Sequence, residues 1–267
     1  MSKRVIRCTC VLDLWKHLGK FLLMEAHAGL FVGLLLIVFA ISREYTFLLP
    51  RYDFIFAAAL LIQSLLIIFK FETMSEVRAI TFFHIVGFVL EVFKTHPSIG
   101  SWSYPEFGYT KILGVPLYAG FMYASIGSYM MRAWKDFELS IIHPPKRWLA
   151  VLLASLVYLN FFTHHYIFDF RYILIALILF VFRKTTIHYR AFGGVRRLHS
   201  SLVFFFFGIM IWIAENIATY LGAWQYPHQS LGWHIVHPQK IISWALLVII
   251  SFIIVASRDK AWRGLER

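Results

Sequence analysis

The chain is poor in charge, and the charge it has is lopsided: 14 acidic residues against 26 Lys and Arg. Charged residues make up only 15% of the sequence and hydrophobic ones 60%. A soluble domain carries about a quarter charged residues, so this composition excludes that class. Cysteine is nearly absent, and the two present, Cys8 and Cys10, lie close together near the N-terminus. A C-x-C pair there is not a structural disulfide, and a metal site needs more ligands than it offers. No Gly/Ser-rich or low-complexity linker divides the sequence, which argues for one compact domain. Nucleic-acid-binding motifs are missing, and so is any H-E-x-x-H metal signature. The basic N-terminus lacks a short apolar stretch ending in a small-residue cleavage site, so the first apolar run is expected to be retained.

What the chain has instead is long apolar runs, with a mean hydropathy of +0.68. A bilayer crossing takes about 17–25 such residues. Eight apolar stretches are counted as crossings, at 21–41, 53–69, 77–95, 112–134, 148–162, 168–182, 201–221 and 241–257, of which the fifth and sixth fall short of that length. The fifth and sixth are short and tightly joined through Thr163-His164-His165, so they are expected to tilt or re-enter. The sequence therefore predicts an all-α polytopic membrane protein of about eight transmembrane helices. Residues 1–20 form a basic arm, 21–257 one transmembrane domain, and 258–267 a tail. With the N-terminus inside, 20 of the 26 Lys and Arg face the cytoplasm. Six face out: Arg43, Arg51, Lys94, Lys111, Arg171 and Lys240. That asymmetry predicts that both termini are cytoplasmic. Basic loops such as 183–197 are expected to meet anionic lipid headgroups rather than nucleic acid.

One pattern occurs twice, about 124 residues apart. Phe82-Phe83, Glu91, Thr95, Trp102, Tyr104, Pro105 and Pro116 are matched by Phe206-Phe207, Glu215, Thr219, Trp224, Tyr226, Pro227 and Pro238. The repeat predicts two parallel four-helix halves, 21–134 and 147–257, related by an axis along the membrane normal. Each half then carries one Trp-x-Tyr-Pro loop at its outer end, bounded by prolines that cannot continue a helix interior.

Both repeats place an acid inside an apolar helix. At about 1.5 Å per residue, Glu91 and Glu215 sit roughly 6–10 Å below the outer surface. An ionised carboxylate there requires partners, protonation or a wet cavity. Two readings stand side by side. Either the pair provides acid/base groups in a shared cavity, or each carboxylate locks helices through Trp, Tyr or backbone donors. His84 and Thr95 share a face with Glu91, and Asn216 and Thr219 accompany Glu215. Trp102, Tyr104, Trp224 and Tyr226 either shape turns at the interface or wall a binding site. A third polar cluster, Asn160, His164, His165 and Asp169, is expected near these loops. Its histidines, with His96, His228, His234 and His237, offer zinc or copper ligands or interfacial hydrogen bonds. No cofactor is expected beyond such a divalent metal, and nothing in the sequence specifies an oligomeric state.

Several stretches resemble a bacterial integral-membrane family known as domain of unknown function 817. They are Leu90-Glu91-Val92-Phe93-Lys94, Gly100-Ser101-Trp102-Ser103-Tyr104-Pro105, Gly114-Val115-Pro116-Leu117-Tyr118, Tyr158 to His165, and Ala214-Glu215-Asn216-Ile217-Ala218-Thr219. The resemblance runs from about residue 50 to 256 and implies a multi-pass protein of the bacterial inner membrane, with no activity attached. A second, weaker one links Glu91, Gly100-x-Trp102-x-Tyr104-Pro105 and Gly114-Val115-Pro116 to membrane carotenoid hydratases and small-subunit lycopene cyclases. Those enzymes protonate a polyene with an acid. The chain lacks the cyclases' Pro-x-Glu pattern, since Pro116 precedes Leu117-Tyr118 and Pro238 precedes Gln239-Lys240.

The reading of the sequence is thus a membrane-embedded enzyme acting on a lipid or isoprenoid at an outer-leaflet pocket, with Glu91 and Glu215 as proton donors or acceptors. The alternative is a transporter or a lipid- or small-molecule-binding membrane protein without catalysis. Partners in either case are membrane lipids and an apolar ligand. The topology is testable by cysteine labelling at Ser103 and Gln225 after replacing Cys8 and Cys10 with Ser. An impermeant reagent is expected to label both sites in intact cells; labelling only after lysis inverts the topology.

Overall fold

The computed structural model describes residues 2–45 and 48–256, with side chains from residue 15 onward. The side chains of Cys8 and Cys10 and the tail 258–267 lie outside the described residues. Helices dominate. In chain order they are α1 (Ser2–Ala28), α2 (Leu30–Glu44), α3 (Arg51–Ile68), α4 (Met74–Thr95), α5 (Tyr118–Asp136), α6 (Arg147–Thr163), α7 (Arg171–Val181), α8 (Ser200–Tyr220) and α9 (Lys240–Ala256). Six of the eight expected apolar runs overlap a single helix each; the first is divided between α1 and α2, and the fourth begins on a hairpin before α5. Among the described residues, only α3 and α8 are long and apolar enough by themselves to cross a membrane; the α1–α2 pair makes a third if counted as one span. Helices α6, α7 and α9 are shorter apolar helices.

Three expectations need correction. The first apolar run is not one straight span, because the chain bends by 70° between α1 and α2. Gly29 sits at the break, where a Cβ would come within 3.2 Å of the Glu25 carbonyl oxygen. The fourth run starts later than expected. Residues 111–116 form a hairpin of β1 (Lys111–Ile112) and β2 (Val115–Pro116), so α5 begins at Tyr118. Finally, the basic loop before α8 is folded: β3 (Ser140–Ile142), β4 (Thr186–Ala191) and β5 (Gly194–His199) make a three-stranded antiparallel sheet in that order. Both hairpins turn on two residues with positive φ, Leu113-Gly114 and Phe192-Gly193. That is type I′ geometry, which normally advertises itself as Asn-Gly or Asp-Gly. A bulky first residue hid both turns from the sequence.

Local chemistry sets the helix boundaries. Helix α4 opens with a reciprocal capping box between Thr73 and Glu76. Helix α3 opens directly after Pro50, and Asp53 in its first turn accepts bonds from the Tyr109 and Thr110 backbone at 2.8 and 2.7 Å. This pins the segment leading into β1 onto α3. Arg51 reaches across to the other half of the chain. It donates to the Leu221 and Gly222 carbonyls at 2.5 and 3.0 Å and pairs with Glu106 at 2.6 Å.

Two main apolar clusters form. One is built mainly by α5, α6, α8 and α9, with residues such as Phe182, Phe204, Leu246 and Phe252. The other sits at the opposite end, under the Trp-x-Tyr-Pro loops, and includes Tyr52, Trp102, Tyr104, Tyr118 and Tyr226. Helix α4 packs closely on α5, and α8 on α9. Glycines permit the close approach. A Cβ on Gly87 would lie 2.1 Å from Tyr123 Cγ, and one on Gly208 would lie 2.8 Å from the Ile241 carbonyl oxygen.

These contacts predict that Gly87→Ala and Gly208→Ala each lower stability by about 1–3 kcal/mol through overpacking. Gly87→Ala is the costlier, because its contacts are closer and include Tyr123 Cβ at 2.6 Å, which cannot move without the α5 backbone. Gly33→Ala meets nothing within 4 Å and is expected to be neutral or stabilising. Thermal unfolding in detergent measures all three, and equal midpoints would show the helices are not in close register.

Candidate functional site: two carboxylates on one cavity

The repeated loops meet. Ser103 and Gln225, the middle residues of the two Trp-x-Tyr motifs, exchange backbone hydrogen bonds of 2.9 and 3.0 Å as an antiparallel bridge. The Trp102 ring packs edge-on against Tyr226 with centroids 6.0 Å apart. Each loop is also tied to the acid of its own repeat. Trp102 Nε1 and Tyr104 Oη both donate to Glu91 Oε2 at 2.7 Å, and Tyr123 Oη donates to Oε1 at 2.8 Å. Tyr226 Oη donates to Glu215 Oε1 at 2.5 Å, and Trp244 Nε1 donates to Oε2 at 2.7 Å. Both acids are almost fully buried, and their oxygens are satisfied by indole and phenol donors. Burial, and then the neighbouring carboxylate, raises the Tyr104 and Tyr226 phenols well above their ordinary value. Both hydroxyls therefore stay protonated as donors.

Glu91 and Glu215 line one cavity of about 980 Å³, at the upper end of the roughly 300–1,000 Å³ typical of ligand pockets. Trp102, Trp224, Tyr226 and His164 line it as well; Tyr104 stands behind Glu91. The cavity continues between α1–α2 and α8, reaching Glu25 and Tyr129, which share a 2.8 Å hydrogen bond. Its flank is open. Leu22 (57% exposed) and Met210 (64% exposed) line it while facing outward.

The other expected residues divide into supports and bystanders. Asn216 accepts from the Val236 backbone at 2.8 Å and donates to the Trp212 carbonyl, and Thr219 accepts from Trp233 Nε1 at 3.1 Å. Both hold the loop before α9 rather than the cavity. Thr95 donates to the Glu91 carbonyl at 2.9 Å within its own helix. His84 fills the notch over Gly120 between α4 and α5 and lies outside the cavity lining. Asn160 bridges Asp169 and the Phe170 backbone at 3.1 and 3.0 Å. Asp169 pairs with Arg171 at 2.5 Å; burial opposes its charge, but the Asn160 and Arg171 bonds outweigh it and hold the carboxyl below its usual range.

His164 and His165 do not join a metal cluster. Among the described residues, no group of three His, Cys, Asp or Glu gathers to hold an ion. Instead Lys94 Nζ donates to His165 Nε2 at 2.8 Å and to His164 Nε2 at 3.4 Å. Burial and then the Lys94 charge push His165 down to about 4; His164 is lowered too, chiefly by burial. Both rings are neutral acceptors near pH 7.

Sequence reasoning missed Tyr123, Trp244 and Lys240. Lys240 Nζ stands over the rings of Tyr226 and Trp102, 4.7 and 5.1 Å from their centroids, on the cavity wall. Two of these residues had a faint signal. Tyr123 and Trp244 each fall inside the apolar run that follows a repeated proline, where a polar-tipped aromatic must find an acceptor.

Substitutions separate the two carboxylates. Gln at either position can accept from Trp and donate to a Tyr oxygen, so Glu91→Gln and Glu215→Gln are expected to stay within about 1 kcal/mol of wild type. Leu orphans three donors at position 91 and two at 215, each costing about 1–3 kcal/mol. Glu91→Leu should therefore unfold at the lower temperature of the two. Thermal melts in detergent decide it, and Leu variants as stable as the Gln variants would mean these bonds do not hold the loops.

Comparison with known proteins places the chain. The family described as Protein of unknown function (DUF817) matches residues 17–252. "Uncharacterized protein YoaT" of Bacillus subtilis (strain 168) is 49% identical over 209 residues, covering 78% of each chain. No solved structure matches. The match extends well beyond half the sequence, and the chain belongs to the DUF817 family.

Proposed function

We propose that this is a multi-pass membrane protein that takes a long-chain lipid or isoprenoid sideways into the groove between α1–α2 and α8 and holds its polar end beside Glu91 and Glu215. One observation carries this reading. A single cavity has outward-facing apolar side chains along its flank and two buried carboxylates at its end. A groove open to water along such a flank is disfavoured; one open to lipid is not. Phe206 and Ala218, both lining it, lie twelve residues apart on α8, which at about 1.5 Å per residue is roughly 18 Å. That is somewhat more than half of a hydrocarbon core about 30 Å thick.

The membrane frame follows from the sequence and is part of the proposal: eight crossings, termini inside, loops outside. The two-repeat architecture has support in the packing. Helix α2 packs on α3 as α6 does on α7, α4 on α5 as α8 on α9, and α2 on α8 as α6 on α4. The repeat axis then passes near the Ser103–Gln225 bridge.

Binding is the first reading because the carboxylate oxygens are committed to their own loops. Acid/base catalysis on the bound chain is the second, and Glu215 favours it. Only two donors reach Glu215 where three reach Glu91, which leaves it spare acceptor capacity on the cavity wall.

Gly33 provides the test, since it lines the cavity and has open space where its side chain would be. Gly33→Phe is expected to fill the groove, keep the melting temperature, and strip co-purified lipid from the protein in native mass spectrometry. Unchanged lipid retention in a folded Gly33→Phe protein would reject the groove.

A further inference from the structure

The outer end of the groove gathers three cations. Lys94, Arg171 and Lys240 all line the cavity, and their charges act on one another. We infer that this end binds an anionic phosphate headgroup on the chain that the groove holds, through the free N–H donors of Lys240, Lys94 and Arg171. The inference rests on the groove reading and adds the ligand's class, an amphiphile with a phosphate ester end.

The case is one of spent and unspent groups. The Lys240 ammonium makes no hydrogen bond or ion pair among the described residues; it stands over aromatic faces and feels the charges of Glu215 and Glu91 from beyond ion-pair distance. Those faces stabilise an ammonium but consume none of its three N–H donors. Lys94 is nearly fully buried and donates to two imidazoles, which solvate its charge without cancelling it. Arg171 alone is paired, to Asp169, and its Nη1 reaches Ser243 Oγ at 3.4 Å.

The opposing charges are Asp169, Glu91 and Glu215; each is already held by donors of its own, and of the three Glu215 keeps spare acceptor capacity. Asp169 is bound by Asn160 and Arg171, and the two glutamates by Trp and Tyr donors. A ligand entering here therefore meets donors first. A phosphate offers three oxygens to three separated cations, which a flat carboxylate does not match. A cationic headgroup would be repelled, and a neutral one would leave the lysines unpaired.

The test uses full-length protein in a non-ionic detergent with three probes: dodecyl phosphate, dodecanol and inorganic phosphate. Native mass spectrometry reads bound ligand. Wild type is expected to bind dodecyl phosphate roughly ten-fold or more tightly than dodecanol, as charge-assisted hydrogen bonds imply. Lys240→Met, which keeps the apolar stem, should remove most of that preference, and Arg171→Gln should reduce it if Lys240→Met fails to fold. Equal affinity for dodecyl phosphate and dodecanol would overturn the headgroup site while leaving the groove intact. Binding of neither dodecyl compound would overturn both. Inorganic phosphate binding as tightly as dodecyl phosphate would make the ligand a free anion and overturn the amphiphile. A phosphate preference unchanged in both folded variants would also overturn the assignment.

Discussion

The architecture depends on how two buried carboxylates are satisfied. Glu91 and Glu215 each sit in an apolar helix, where an unpartnered carboxylate is costly. The chain answers by folding a Trp-x-Tyr loop back over each helix so that indole and phenol donors close on the acid. Once each loop is tied to its own acid, the two loops lie edge to edge and Ser103 pairs with Gln225. Arg51 adds a clamp between the halves by capping the carbonyls that end α8. The loop end of the molecule is thus held by polar bonds, and the opposite end by the apolar packing of α5, α6, α8 and α9.

A rigid polar end leaves the flank between α2 and α8 free to differ. There the helices touch lightly, and the space is lined by apolar side chains that also face outward. The bend at Gly29 contributes, because α1 turns away and carries Leu22 to the far end of the groove rather than continuing the span. The groove therefore joins an apolar flank to an end lined by charged side chains. Anchoring of the loops by Glu91 and Glu215 would place Lys240 over the Trp102 and Tyr226 rings. In that account the acids act on a ligand through the loops they position, and Glu215 has the freer oxygen for direct contact.

Much of this was legible in the residues. The repeated Glu, Trp and Tyr spacing pointed to the pairing now visible at Glu91–Trp102–Tyr104 and Glu215–Tyr226, and the long apolar runs located most of the helices. The partners Tyr123 and Trp244 were only faintly legible, because both lie in apolar runs where one aromatic looks much like another. Trp224, equivalent to Trp102 in the repeat, lines the cavity while Trp244 takes the bond to Glu215, so the repeat is not followed atom for atom. Lys240 was counted only as an outer basic residue, since its role arises from where α9 starts. His84 looked like a site residue because it shares a face with Glu91, yet the small side of α5 at Gly120 takes it up. The hairpins escaped because Leu113-Gly114 and Phe192-Gly193 are unusual choices for their turns.

An experimental structure of the protein in lipid nanodiscs tests the central claim most directly. The account predicts chain-like density along the groove from Leu22 toward Lys240. It also predicts Glu91 and Glu215 within hydrogen-bonding distance of Trp102, Tyr104, Tyr226 and Trp244. A groove closed by its own side chains, or a bilayer boundary that leaves the α2–α8 flank in water, would contradict it.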